Sequence, residues 1–230
     1  MTFGVEILIT RDGAERKAAS GQVKVVFRRA PSDVDAPVAG PEAVAAFVTP
    51  EIRRSPSGKA ARPEFTFERG AADPTEEAIR RIIPREPHSF VWKWHVPYFY
   101  CHFTERLQHS GYVRLMEEVV DLFLRDRGIS IGGMLQTRGW IPVVSNARLE
   151  VLREALMEDA IYTVFTVEDI VKGLSYTARM ECYVPRDGRL IHTAAGRITH
   201  AYLHIEDRGT AGALAPFDGA VMAALSGEQR

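Results

Sequence analysis

Apolar positions Tyr112, Leu115, Met116, Val119, Val120, Leu122 and Phe123 recur at helical spacing along residues 110–128. Ser110 stands where an N-cap belongs, Arg125 and Arg127 fall in the last turn, and Gly128 closes the pattern. The stripe is broad, so the spacing predicts a helix buried around most of its circumference. Downstream the period drops to two. Strands are expected at about 142–153, 160–171 and 173–184, the last alternating Leu174, Tyr176, Ala178, Met180, Cys182 and Val184 against polar residues. The turn Arg186-Asp187-Gly188 leads into a fourth strand at about 189–206. One helix cannot cover both faces of such a sheet, so the sheet is expected to curl around it.

The N-terminal pattern also has period two. Residues 3–29 read as a hairpin, turning at Arg11-Asp12-Gly13 and alternating Val23, Val25 and Phe27. It repeats the later hairpin at a constant offset: each Arg-Asp-Gly turn is followed by a further glycine, Gly21 or Gly196. Ala19 then matches Ala194, Val23 matches Ile198, and Phe27 matches Tyr202. Between the two regular regions lie nine of the 13 prolines, from Pro31 to Pro87. That stretch reads as a long connection with two short helices, one starting near Pro41 and one running from Asp73, its N-cap, through Ile83. Residues 90–103 are aromatic-rich and contain Pro97, which suits a bent or edge strand.

Composition narrows the class. The chain has 230 residues, 46% hydrophobic and 26% charged, enough for one large α+β domain or two small ones. Two cysteines build neither a disulfide framework nor a zinc cage, which points to a reducing, cytoplasmic setting. A net charge of -1 argues against a nucleic-acid partner. No apolar run reaches the ~18–20 residues of a membrane span. Glu6, Arg11 and Asp12 rule out a signal peptide at the start of the chain.

The order strand, helix, meander and the segment from His102-Phe103 through His109-Ser110-Gly111-Tyr112 to Glu117-Glu118 resemble the hot-dog fold superfamily, which holds acyl-CoA and acyl-ACP thioesterases and hydroxyacyl-ACP dehydratases. The resemblance implies a long central helix wrapped by a curved antiparallel sheet. It covers about 88–206, and 3–29 looks like the terminal hairpin of a second hot dog. The implied organisation is a hairpin at 1–31, a connection at 32–87, a hot-dog domain at 88–208 and a flexible tail at 209–230. His109, Tyr112, Arg114 and Glu117 match the thioesterase spacing, while His102 falls where the thioesterase loop Asp belongs. His102, Phe103 and Gly111 match the dehydratase pattern instead, but that pattern's helix carboxylate would fall on Met116.

The chemistry suits either branch. A helix N-terminus offers amides and a positive dipole end to an oxyanion. The expected donors are Gly111 and Tyr112, with Gly111 allowing close approach of substrate. Candidate bases are His102, Glu105, His109 and Glu117, and Arg114 is a candidate substrate contact. The expected activity is hydrolysis of an acyl-CoA or acyl-carrier-protein thioester, without cofactor or metal, in a homodimer. Dehydration, hydration or conjugate addition is the first alternative, and non-catalytic acyl-thioester binding the second.

Three other signals carry less. Gly128-Ile129-Ser130-Ile131-Gly132 matches a nucleophile elbow but lacks the strand that should precede its serine, so it reads as an exit loop. His88, His95, His102 and His109 recur every seven residues, yet in extended chain they alternate faces, and His200 and His204 lie ~13 Å apart along one strand, too far to share a metal. The pairs Arg28-Arg29, Arg53-Arg54 and Arg80-Arg81 suit CoA phosphates or an acidic carrier but more simply solubilise.

Overall fold

The computed structural model describes residues 2–25, 65–66, 75–83, 86–101, 104–205 and 212–228. Two compact units are present, Met1–Arg54 and Ser55–Arg230. The expected helix near Pro41 lies outside the described residues.

In the first unit, β1 (Thr2–Arg11) pairs with β2 (Ala14–Lys24) through a turn in which Asp12 and Gly13 have φ of 54° and 76°. Both values are positive, as a tight hairpin turn requires. One face carries Phe3, Val5, Ile7, Ala19 and Val23, and every residue of both strands is exposed.

The second unit holds β3 (Phe65–Thr66), α1 (Glu76–Ile82), β4 (Ser89–His95), α2 (Tyr98–Cys101), α3 (His109–Asp126), α4 (Ile131–Arg138), β5 (Trp140–Val151), β6 (Ala160–Val171), β7 (Ser175–Arg186), β8 (Arg189–His204) and α5 (Gly219–Ser226). The strands form one antiparallel sheet in the order β3-β8-β7-β6-β4, with β5 also paired to β8. Helix α3 lies against the concave face, burying Tyr112, Leu115, Met116, Val119, Val120, Phe123 and Leu124. Phe123 meets Phe165 of β6 with ring centroids 4.9 Å apart. Gly196 of β8 leaves room for Met116, because a Cβ there would stand 3.0 Å from the Met116 Cε and 3.1 Å from the Arg148 carbonyl oxygen.

The two hairpins agree pair by pair at an offset of 175. Phe3↔Val23, Val5↔Gly21 and Ile7↔Ala19 correspond to Ala178↔Ile198, Met180↔Gly196 and Cys182↔Ala194. Both registers then skip one residue, Ala18 in β2 and Thr193 in β8, before resuming at Leu8↔Lys17 and Tyr183↔His192. The turns agree as well, with Asp187 and Gly188 at φ of 50° and 76°. A shared bulge is a specific feature, since bulges re-aim a strand and are kept as designed elements.

Several boundaries differ from the sequence reading. The short helix is capped by Thr75, not Asp73, with the Thr75 hydroxyl accepting the Ala78 amide at 3.2 Å. Residues 90–101 do not stay extended: Pro97 follows β4 and precedes α2, the Tyr100 amide donating to the Pro97 carbonyl at 3.0 Å, and residues 102–103 lie outside the described residues. The sheet does not rely on curling alone, because Ile79 and Ile83 of the α1 region join Val91, Tyr162, Val164, Tyr183 and Leu190 on its convex face. That second cover explains why seven successive residues of β6, from Ile161 to Val167, are buried on alternating sides. The C-terminal segment, expected to be flexible, forms α5 instead. Asp218 caps it, accepting the Val221 amide at 2.9 Å and pairing with Arg138 at 2.6 Å, and Val221, Ala224 and Leu225 enter the core. Its apolar residues were short of a full helical pattern, so only the packing partner reveals them. Among the described residues, no helix is long and apolar enough to cross a membrane.

Gly196→Val is expected to cost about 1–3 kcal/mol by overpacking against Met116. Denaturant melts check this. Adding Met116→Ala should recover part of the loss, giving a coupling between the two sites.

Candidate active site

Helix α3 starts two residues earlier than the capping pattern suggests. Its N-cap is Gln108, not Ser110, and that shift moves the free amides. The Gly111 and Tyr112 amides both donate to the Gln108 carbonyl, at 3.0 and 3.4 Å. They are therefore committed inside the helix and do not form the expected oxyanion donors. Helix geometry leaves the amides of His109 and Ser110 to face outward.

The side chains at 111 and 112 also have structural duties. A Cβ on Gly111 would meet Leu107 Cδ1 at 2.6 Å and Tyr100 Cβ at 3.1 Å, so the glycine admits α2 and its loop, not a substrate. Tyr112 is fully buried, and its hydroxyl lies beside the Thr193 hydroxyl without the geometry of a hydrogen bond. Burial, with Cys182 adding, pushes that phenol well above its ordinary value. It cannot reach a substrate at the surface.

The loop before α3 is held firmly. The Leu107 amide donates to the Ala155 carbonyl at 2.9 Å, the Met157 amide to the Glu105 carbonyl at 2.7 Å, and Arg106 pairs with Glu154 at 2.7 Å. Glu105 is exposed, as are His109 at the helix tip and Arg114 one turn on. His102, one of the candidate bases, lies outside the described residues together with Phe103.

Glu117 has a partner that sequence reasoning passed over. Its carboxylate sits 3.5 Å from Nε2 of His200, which comes from the middle of β8. The Glu117 side chain is 52% exposed, whereas His200 is 1% exposed. The imidazole stacks on Tyr176 of β7 at 5.6 Å and 17°. Behind it, Phe217 stands edge-on to both Tyr176 and Tyr202, at 6.1 and 5.6 Å. Asp121, one turn beyond Glu117, shares the same helix face. The signal for this group in the sequence was the four-residue spacing of Glu117 and Asp121; nothing in the sequence paired them with His200.

Glu117 and the helix tip do not meet within one chain. Seven residues separate Ser110 from Glu117, which is about 10 Å along a helix axis. The amides point away from Glu117, so a single carbonyl cannot touch both.

Other nucleophiles are excluded by their surroundings. Cys101 and Cys182 are both free and buried. Burial, with Asp159 adding, raises the Cys101 thiol, and burial pushes Cys182 up to about 12. A thiol so raised is not a thiolate at neutral pH. Ser130 is the N-cap of α4, accepting the Gly133 amide at 3.0 Å, so the elbow-like motif is a helix start and not an exit loop. Among the described residues, no group of three or more His, Cys, Asp or Glu side chains could hold a metal ion.

A curved antiparallel sheet around one long helix, with an exposed carboxylate on that helix, defines a class. The thioesterase-like superfamily matches residues 91–225, well over half of the chain, and the chain belongs to it. No curated protein matches it by sequence. Solved structures agree on the fold. A 1,4-dihydroxy-2-naphthoyl-CoA thioesterase from Synechocystis is 12% identical with a TM-score of 0.52, covering 60% of this chain and 95% of its own. The 4-hydroxybenzoyl CoA thioesterase from Pseudomonas sp. strain CBS-3 is 10% identical with a TM-score of 0.54, covering 59% and 98%. The dynemicin thioesterase is 17% identical with a TM-score of 0.53, covering 60% and 95%. The fold is the hot dog.

Burial holds the Asp121 carboxyl above its ordinary value, Glu117 adding to the effect and His200 and Arg125 opposing it. A carboxyl raised in the folded state costs stability as pH rises from the unfolded value through the folded one. Asp121→Asn is therefore expected to raise Tm at neutral pH. The gain should shrink as pH falls through the folded value and vanish below about pH 3, where both states hold the proton. Thermal melts across that range check the sign; a lower Tm at neutral pH contradicts it.

Proposed function

We propose that the protein hydrolyses an acyl thioester, of CoA or of an acyl carrier protein, with Glu117 as the base. The observation that carries this reading is the half-exposed Glu117 carboxylate on α3, 3.5 Å from a buried imidazole of the sheet. In the reaction, Glu117 takes a proton from water and the hydroxide oxygen adds to the carbonyl carbon. The oxyanion rests on outward amides and the dipole end of α3. The C–S bond then breaks, and the departing sulfur takes the proton back.

The separation of about 10 Å between Glu117 and the helix tip supports a two-chain site. In a homodimer with the α3 helices antiparallel, Glu117 of one chain meets the α3 N-terminus of the other. The exposed aromatics Tyr98 and Phe99 of α2 lie beside that tip and suit an apolar acyl or aryl group. His109 and Glu105 remain at the tip as contacts to the thioester, and Arg114 flanks them.

One observation weighs against the dehydratase alternative. Met116 stands where that pattern needs a carboxylate, and it is packed against Gly196 in the core. The domain reading rests on the register shared by the two hairpins. Residues 1–31 are the counterpart of β7–β8 from a second hot dog, and the catalytic unit is the remainder.

The test is a panel of saturated and enoyl CoA thioesters, with free thiol and enoyl absorbance followed together. Thiol release is expected, and Glu117→Gln should lower kcat by about 100-fold. Absorbance change without thiol release would favour the dehydratase, and silence on both a binding protein. Removing residues 1–31 should leave thiol release unchanged.

A further inference from the structure

We infer that His200 is a positioning residue for Glu117, fixing the carboxylate that activates water; the inference rests on the reading of Glu117 as base. Four observations lead to it. The imidazole is almost fully buried, yet its Nε2 faces a carboxylate that is half in solvent. Its ring plane is set by stacking on Tyr176, so the direction of the Nε2 bond is fixed by the sheet and not by the histidine's own rotamer freedom. Nδ1 has no hydrogen-bond partner among the described residues, so the ring's hydrogen bond there is to Glu117, with Asp121 one turn on in electrostatic reach. Finally, the fold does not need a histidine at this place. In the sequence, the offset of 175 that relates the two hairpins carries His200 onto Val25, an apolar residue one position beyond the paired register. An apolar side chain would fill the position at no desolvation cost, whereas a buried imidazole costs free energy unless it is used.

A carboxylate on an exposed helix face otherwise samples several rotamers. With one oxygen held by the Nε2–H of His200, the second is aimed away from the sheet, toward the space where water and thioester meet. A neutral imidazole with its proton on Nε2 suffices for this, and the histidine touches neither substrate nor reacting atoms. Its loss should therefore appear in turnover and not in substrate binding.

The experiment compares His200→Phe, which keeps volume and the stack on Tyr176, with His200→Gln, which keeps an N–H near the same place. His200→Phe is expected to lower kcat by about tenfold or more with KM unchanged, as removal of an orienting partner does. His200→Gln should recover most of that loss. Combined with Glu117→Gln, His200→Phe should lower kcat no further. If Glu117→Gln keeps full activity, the base assignment fails and the positioning role falls with it. If Glu117→Gln is inactive but His200→Phe turns over normally, the positioning role alone is overturned. Should His200→Phe not fold, imidazole 15N shifts of the unmodified protein serve instead. The Nε2 shift must move on Glu117→Gln, and an unmoved shift overturns the inference.

Discussion

Everything in the catalytic unit follows from burying one side of α3 in a curved sheet. Each of its large apolar side chains contributes about 1.5–3 kcal/mol when removed from water. The contact is close because β8 carries glycine where Met116 enters, with Ala194 on β8 and Ala178 on β7 in the same core. Close approach is what brings the opposite helix edge within reach of the sheet. Glu117 meets His200 because Met116, its neighbour, is packed against Gly196 four residues earlier on the same strand. The packing that stabilises the fold also sets the geometry of the polar pair.

The same sheet is covered on its convex side by α1, and its end by α5. These covers turn β6 into an almost continuous buried run and seal the aromatic wall of Tyr176, Tyr202 and Phe217 behind His200. Burial raises both tyrosine hydroxyls, with Tyr202 reaching about 12. The histidine thus has an aromatic backing, and its Nε2 faces Glu117. A wet or mobile backing would let the ring turn and release the carboxylate.

The hairpins show how one local design serves two settings. Turn, bulge and glycine agree between β1–β2 and β7–β8, but the apolar face of β7–β8 is buried under α3 whereas that of β1–β2 is exposed among the described residues. A two-stranded ribbon with one apolar face is marginal by itself. The difference lies in what packs on the ribbon, not in the ribbon.

The chain's periodicity determined the long helix, the four long strands and the hairpin repeat, because those patterns are local and each residue's face follows from its spacing; it did not determine their order, since β5 pairs with β8 and not with β6 as a four-stranded meander requires. It also placed Glu117, His109, Arg114 and Glu105 on exposed positions near or along the helix. It misjudged Gly111 and Tyr112, since a two-residue shift of the cap from Ser110 to Gln108 changes which amides are free, and caps are decided by side-chain and backbone competition at the helix start. It passed over His200 and the α5 segment, because partners 83 residues apart, as Glu117 and His200 are, leave no periodic trace. Tertiary structure alone decided which carboxylate gained a buried imidazole.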